Sequence, residues 1–535
     1  MRPGDVGVDD GTQAGRHGMR LGAAAALLAS SVLLSRVLGY LREAVLAYRI
    51  GAGTATDAYY AAFQIPDLLN YLLAGGALSI AFLPLYARHL ARGDADGAEH
   101  LFATVLGGLG AVTVLLTVAL WWYAAPLVAL QFPRFDPPTQ ALTVHLTRIV
   151  LPAQIFFITG GIINATLLAR DRFGAAAAAP LLYNGAIIAG GLFLTPRLDV
   201  GVEGFAWGAL AGGVLGPFLA PLWDARGRVR VRLRLALFDR AFLAYLVVAA
   251  PLMFGQTLLT VDEWYGRWFG ALLGAGTVAH LGYARRLMLV PVAVVGQSIA
   301  AAALPTLSRL WAEGRHADLD RVVLRTLQAG LALAVFGAAG FYVFAPPLVR
   351  VFYQHGAFGA ADTASVAAIL ALLALAIPPW IGQQIVARAF YARGDTWRPM
   401  LLGTIVAAAA IPMYLIFGRR FGVLGLAAAG VVGMSVNAVA TVALARWLHG
   451  APDVTSLLGS AARAAAVATV AAVLASQVPH GTTLQAALLQ LGAGGAVFVA
   501  VISVGVFTIG DQPVRDALRR LLHRIVPFAS AARPR

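Results

Sequence analysis

About fourteen stretches of this chain stay apolar for roughly twenty residues or more, and that pattern constrains its fold more than any other feature. Hydrocarbon offers no water to backbone N–H and C=O groups, so each stretch must close its hydrogen bonds within itself as a helix. The windows lie at 22–49, 55–87, 102–130, 141–169, 174–195, 204–223, 241–273, 277–308, 326–349, 364–391, 399–418, 422–445, 459–478 and 485–508. The expected fold is therefore all-α, a polytopic membrane protein of about fourteen transmembrane helices. Composition agrees: 59% of residues are hydrophobic, 12% are charged, and the mean hydropathy is +0.77.

Several windows carry arginine well inside them. Arg36 and Arg42 lie in the first, Arg148 in the fourth, Arg285 and Arg286 in the eighth, and Arg388 in the tenth. An arginine at the bilayer centre costs roughly 2.5–3.5 kcal/mol even on the lenient insertion scale, so such side chains face protein or a watery cavity. Their charge selects an anion. The guanidinium fork donates two parallel bonds to phosphate oxygens and stays charged when desolvated, which suits a diphosphate. An exporter of cationic drugs would want an acidic, aromatic cavity instead.

The net charge of +15 is carried entirely by arginine, because lysine is absent. On a membrane protein such an excess reflects topology and anionic headgroups rather than nucleic acid. Cysteine is absent too, which removes disulfides, thiol chemistry and Cys-ligated metal. The N-terminal Arg16, Arg20 and LGAAAALLASSVLLS resemble a signal peptide, but the apolar run continues past Arg36 to Leu46, too long for a cleaved core.

Arginine bias sets the expected orientation. With both termini cytoplasmic, the inner loops and tails collect most arginines, and the outer loops hold only Arg134, Arg197, Arg350, Arg419 and Arg420. The halves also repeat at an offset near 221 residues. Pro84, Arg88 and Gly93 match Pro305, Arg309 and Gly314; Pro126-Leu127-Val128 matches Pro347-Leu348-Val349; GAGT occurs at 51–54 and 274–277. Ordered matches over several helices indicate parallel duplication around a midplane site, a transporter architecture. The expected organisation is a cytoplasmic tail (1–21), an N-lobe of helices 1–6 (22–223), an arginine-rich linker (224–240), a pseudo-symmetric C-lobe of helices 7–12 (241–450), two extra helices (451–508) and a cytoplasmic tail (509–535). The two six-helix lobes surround a central cavity.

Candidate residues follow from charge inside the spans. Arg36 and Arg42 are six residues apart, about 120° around a helix, and flank one cavity if helix 1 bends at Gly39. Glu43 or Asp57 can pair with them, and Asp57 also suits the positive end of helix 2. In helix 8 adjacent Arg285 and Arg286 cannot both face one groove; one enters a cavity while the other packs or pairs. In helix 7 Glu263 and Arg267 form an i,i+4 pair, leaving Asp262 as a cation or proton ligand. The acid-x-acid triplets Asp94-Ala95-Asp96 and Asp318-Leu319-Asp320 have the look of transferase metal ligands, but their short polar surroundings favour solvated loops. The linker DARGRVRVRLRLALFDR reads first as a topogenic loop and second as a patch for anionic headgroups. No loop is large enough for a catalytic domain and no Walker A sequence occurs, so neither an enzyme nor a resident cofactor or metal is expected.

The stretch SRVLGYLREAVLAYRIGAGTATDAYYAAFQIPDLL at 35–69, with ALPTLSR at 303–309 and FYARGDTWRP at 390–399, resembles the MurJ (MviN) family of lipid II flippases, within the multidrug/oligosaccharidyl-lipid/polysaccharide exporter superfamily. The resemblance covers essentially the whole chain. It implies a cationic cavity between two lobes and an apolar groove on helices 13 and 14 for a lipid tail. The cargo it implies is undecaprenyl-pyrophosphate-linked disaccharide-pentapeptide, moved from the inner to the outer leaflet of the bacterial cytoplasmic membrane by alternating access. A monovalent cation or the membrane potential would reset the cycle. Membrane lipids and the cell-wall synthesis machinery are the implied neighbours. Carried over by motif, Arg36, Arg42 and Arg286 hold the cargo, with Arg285 beside them, and Asp57 gates. Asn70, Tyr71 and Gly75 stand where the family usually has an arginine pair and a glutamate, Arg285 where it often has aspartate, and Leu289 where it has glutamate. The rival readings are a flippase for another polyprenyl-pyrophosphate glycan, such as an O-antigen or capsule unit, and a non-transporting scaffold of envelope assembly.

Overall fold

A computed structural model describes residues 10–74, 81–198, 201–259, 261–479 and 481–525, with side chains left out at 10–25, 74, 197–198, 250–259, 261–263, 297–298, 300–302 and 520–525. Among the described residues there is helix and no strand. Among the described residues nine helices are long and apolar enough to cross a membrane, ten if one bent pair counts as a single span, against the fourteen expected. The described residues of the expected windows are largely helical, and several windows are broken where proline or glycine interrupts the backbone ladder. The chain divides into two compact units, Met1–Ile50 with Thr54–Thr260, and Gly51–Gly53 with Val261–Arg535.

The first unit begins with α1 (Asp10–Ile50), which runs unbroken through Gly39. The second window is three pieces, α2 (Thr54–Ala62), α3 (Gln64–Ala74) and α4 (Leu83–Ala91), the last with proline in its first turn. Next come α5 (Ala95–Trp122), α6 (Ala124–Gln131), α7 (Pro137–Leu168), α8 (Gly174–Leu194), α9 (Glu203–Ala225) and α10 (Arg240–Leu259). Asp94 caps α5 by accepting from Gly97 N at 2.9 Å and pairs with His89 at 2.7 Å. The first acid-x-acid triplet is therefore a helix start. Glycine recurs every fourth residue on α9, at 204, 208, 212 and 216, and this stripe faces α8. A Cβ on Gly208 would lie 2.7 Å from the Ala186 carbonyl oxygen, and one on Gly212 2.8 Å from that of Tyr183. Small residues let the two backbones approach where lipid supplies no hydrophobic drive for helix pairing.

The second unit holds α11 (Val261–Gly270), α12 (Thr277–Gly296), α13 (Gln297–Ala312), α14 (His316–Val343), α15 (Ala345–Tyr353), the bent pair α16 (Ala360–Ala374) and α17 (Ile377–Ala392), α18 (Trp397–His449), α19 (Val454–Ser476), α20 (Leu484–Ile509) and the basic α21 (Gln512–Ile525). α16 and α17 meet at 42°, just before Pro378 and Pro379. The backbone of α18 turns at Gly422 (φ 59°, ψ −140°). Contacts pair Gly418 with Leu426, Gly430 with Tyr414 and Gly433 with Ala410, all roughly equidistant from that turn. α18 is thus an antiparallel hairpin of two helices, the eleventh and twelfth windows, with Arg419 and Arg420 exposed at its tip.

The duplication shows in the turns. Gly93 and Gly314 both have positive φ (71° and 69°), and each precedes a helix of 28 residues. Asp171 (φ 57°) in Ala-Arg-Asp stands where Gly394 (φ 80°) stands in Ala-Arg-Gly. The arginine before each is tied down: Arg170 donates to Tyr86 Oη at 2.7 Å and to the Arg228 carbonyl at 3.0 Å, and Arg393, 7% exposed, pairs with Asp320 at 2.5 Å. The second acid-x-acid triplet lies inside the first turns of α14, and Asp318 pairs with Arg315 and Arg321. The first triplet is exposed at the turn into α5, as its polar surroundings suggested, whereas the second is partly buried within α14 rather than in a loop. The two GAGT strings differ: φ is positive at Gly51 in the first and at Gly276 in the second.

Candidate functional site

In the first unit a polar seam joins α1 to α8. Ser31 Oγ donates to the Ala177 carbonyl, Asn184 Nδ2 donates to Ser35 Oγ at 3.4 Å and to the Pro180 carbonyl at 2.9 Å, and Arg49 reaches the Leu192 carbonyl at 3.5 Å. Arg42 sits in the middle of the seam. Its Nη1 donates to Asn184 Oδ1 at 3.2 Å and its Nη2 to Glu43 Oε1 at 2.9 Å. The other oxygen of Glu43 accepts from Tyr60 Oη of α2 at 2.6 Å. The Arg42 side chain is 16% exposed and that of Glu43 3%. A buried ion pair needs such extra hydrogen bonds to offset desolvation.

Arg36 is half-buried one and a half turns earlier on the same unbroken helix, so the two arginines do not owe their placement to a break at Gly39. Asp57 is buried in the first turn of α2, three residues before Tyr60. The structure therefore brings Arg42, Glu43, Asn184 and Tyr60 together, with Asp57 on the short helix that delivers Tyr60. Spacing singled out Arg42, Glu43 and Asp57. It missed Asn184 and Tyr60, although an asparagine inside an apolar window was a usable signal. Asn70, at the position expected to be basic, donates to Gln154 Oε1 of α7 at 2.9 Å, a neutral bond.

In the second unit the adjacent arginines differ in their surroundings. Arg286 is exposed, while Arg285 lies over the Trp380 ring at 5.8 Å and lines a cavity of about 70 Å³ with Met288, Trp380, Tyr414 and Met434. The side chains of Asp262 and Glu263 lie outside the described residues. Arg148 and Arg388 also sit on aromatic rings. Arg148 lies 4.8 Å from the Trp121 ring and bonds that residue's carbonyl near the end of α5; Arg388 lies 5.6 Å from the Tyr391 ring. Cation–π contact lowers the cost of holding such a charge near lipid. Among the described residues no cluster of three His, Asp or Glu side chains could hold a metal ion.

α19 and α20 pack on α14 through Phe336, Val467, Ala471, Phe498 and Ile502. Between them runs an apolar groove of about 440 Å³, lined by Val467, Val470, Val501, Val504, Gly505 and Ile509.

A family model described as "Lipid II flippase MurJ" matches residues 46–492. A protein of Rhizobium meliloti named a probable lipid II flippase MurJ is 28% identical over 526 residues, which is 95% of this chain and 97% of that one. A protein of Burkholderia cenocepacia named lipid II flippase MurJ is 30% identical, over 79% of this chain and 83% of its own. Among solved structures, one described as lipid II flippase MurJ in an inward closed conformation superposes with a TM-score of 0.77 at 20% identity, covering 90% of this chain and 98% of that chain. An inward-facing multidrug resistance MATE transporter of the MOP superfamily superposes at 0.67 and 17% identity, over 78% and 94%.

Proposed function

The chain belongs to the MurJ family of lipid II flippases, and from that premise we propose that it carries lipid II across the membrane in which its helices lie. The single observation that carries the proposal is the family match over residues 46–492, from the end of α1 into α20. The cargo is then a polyprenyl diphosphate bearing a glycopeptide, delivered from the inner to the outer leaflet of the cytoplasmic membrane with both termini inside. Its diphosphate is gripped by guanidinium groups, for which Arg36, Arg42 and Arg286 are the candidates, with Arg285 held on Trp380. Bidentate donation gives such groups their hold on phosphate oxygens. Asp57 gates and Asp262 takes the coupling cation or proton. The apolar lining of the α19–α20 groove suits the prenyl tail.

Glu43 bears on how the grip would work. A guanidinium already paired with a carboxylate binds phosphate by exchange, so Glu43 and Tyr60 hold Arg42 extended while the site is empty. The test is rescue of a flippase-depleted strain, paired with a flipping assay on defined lipid-linked cargo in vesicles. Arg36→Ala and Arg286→Ala should express normally, fail to rescue growth and flip the cargo at a much reduced but measurable rate. Full activity of both variants would remove the arginine grip, and failure of the unaltered chain to flip lipid II would remove the cargo.

A further inference from the structure

The linker that follows α9 does not behave as a loose loop. From 230 to 236 it has no regular secondary structure, and arginine alternates with apolar residues along the sequence: Arg228, Arg230, Arg232 and Arg234 with Val229, Val231, Leu233 and Leu235. Val229 is buried, and Arg230 and Arg234 tie the segment to the start of α5. Arg234 N donates to the Ala103 carbonyl at 3.1 Å, its Nη1 lies 3.0 Å from His100 Nδ1, and Arg230 lies 3.9 Å from Glu99. His100 Nε2 in turn lies 3.0 Å from Asp239, closing the strap at its far end. Gly107 permits the approach, since a Cβ there would come 2.8 Å from the Arg234 nitrogen.

Beyond Val229 the large apolar side chains turn outward: Leu233 is 73% exposed, Leu235 76% and Phe238 92%. Apolar side chains this exposed are poorly placed for water and well placed if the surroundings are lipid. Depth is bounded as well. Among the described residues of 230–237, only Arg234 donates a backbone hydrogen bond. Amides left open in this way cannot lie in hydrocarbon but can lie in hydrated headgroups. The strap also leaves directly from α9, whose Trp223 is exposed with Arg226 stacked 4.3 Å from its ring, a pairing that fits the interface. Arg230 and Arg232 remain largely exposed along its edge, and Arg232 makes no hydrogen bond or ion pair with a described residue.

We propose that residues 229–238 form a membrane-surface strap that seats Leu233, Leu235 and Phe238 at the acyl boundary and binds anionic phospholipid headgroups through Arg226, Arg230 and Arg232. The acidic groups facing it, Glu99, Asp224 and Asp239, are fewer than its arginines, and Asp224 is engaged by Arg172 and Arg228.

The natural absence of cysteine gives a direct test. Arg230→Cys, Arg232→Cys, Leu233→Cys, Leu235→Cys and Phe238→Cys of the full chain each carry one nitroxide in nanodiscs of phosphatidylcholine with and without phosphatidylglycerol. With phosphatidylglycerol, positions 233, 235 and 238 should favour collision with oxygen, and 230 and 232 with a water-soluble nickel chelate. In parallel, Arg230→Gln and Arg232→Gln should lower phosphatidylglycerol retention about fivefold each. Nickel access at all five positions would make the segment a solvated loop and overturn the proposal. Shielding from both reagents would put a protein partner there and overturn it equally. Unchanged phosphatidylglycerol retention in the glutamine variants would overturn the headgroup contact.

Discussion

Arg42 uses two separate nitrogens for two neighbours, and that geometry sets what can replace it. Nη2 serves Glu43 and Nη1 serves Asn184. Lysine offers a point charge that keeps the first contact at the expense of the second. A hydrogen bond to a charged group contributes about 1.5–3 kcal/mol, so Arg42→Lys should lower flipping tenfold or more with expression intact, measured in the vesicle assay. Removing the charge altogether is worse for folding, because Arg42→Ala takes away the guanidinium that neutralises the buried Glu43 carboxylate; the double change Arg42→Ala with Glu43→Gln should recover thermal stability without recovering flipping. Asp171 gives a second prediction. It holds a left-handed backbone at the turn where the other repeat has Gly394. That conformation costs a residue with a Cβ roughly 1–2 kcal/mol, less for aspartate, so Asp171→Gly should raise the melting temperature slightly and Asp171→Val should lower it.

At the scale of elements, periodicity read correctly where the helices lie and poorly what interrupts them. The windows at 399–418 and 422–445 were legible because Gly422 separates two apolar runs, although helical hydrogen bonding continues nearly across it. The second window was legible as apolar, but its division into α2, α3 and α4 was not, since proline announces a break without giving its angle. Arg42 stood out because charge in an apolar window is costly. Its partner Asn184 sits 142 residues away, a pairing that local spacing cannot supply. The linker's docking was out of reach for a related reason: its six arginines suggested a topogenic loop or a headgroup patch, while the bond from Arg234 to α5 joins residues far apart in sequence. Two measurements address that element. Gly107→Val should push the strap off α5 and speed hydrogen exchange at the Arg234 amide while leaving α7 and α8 unchanged. Acid should do the same by another route. The backbone N–H of Ala241, then His100, hold the Asp239 carboxyl below the usual aspartate range. A carboxylate depressed in the folded state stabilises it at pH above its unfolded value and ceases to as pH falls through the folded one. Protection of the Arg234 amide should therefore persist from neutral to mildly acidic pH and fall only below the ordinary aspartate range, and Asp239→Asn should abolish that step.

At the scale of the whole molecule, one plan was copied and then used differently. Both units turn on left-handed residues at matching places and pin the arginine before the second turn. Their interiors have diverged. The first unit surrounds Arg42 with a carboxylate, an amide and a phenol, whereas the second lays Arg285 on Trp380 and adds α19 and α20 with their apolar groove. Such divergence is expected if the two copies serve different parts of one amphiphilic cargo. The distinguishing measurement is a double-mutant cycle between Arg36→Ala in one unit and Arg286→Ala in the other, read as flipping rate on defined lipid II. Residues that act on separate steps or separate molecules lose activity additively in free energy, within about 0.3–0.5 kcal/mol. Residues that share one diphosphate do not, because once either guanidinium is gone the phosphate is no longer held in the geometry the other requires. The expected result is a double variant scarcely slower than the worse single variant, and a cycle that closes additively would separate the two arginines functionally.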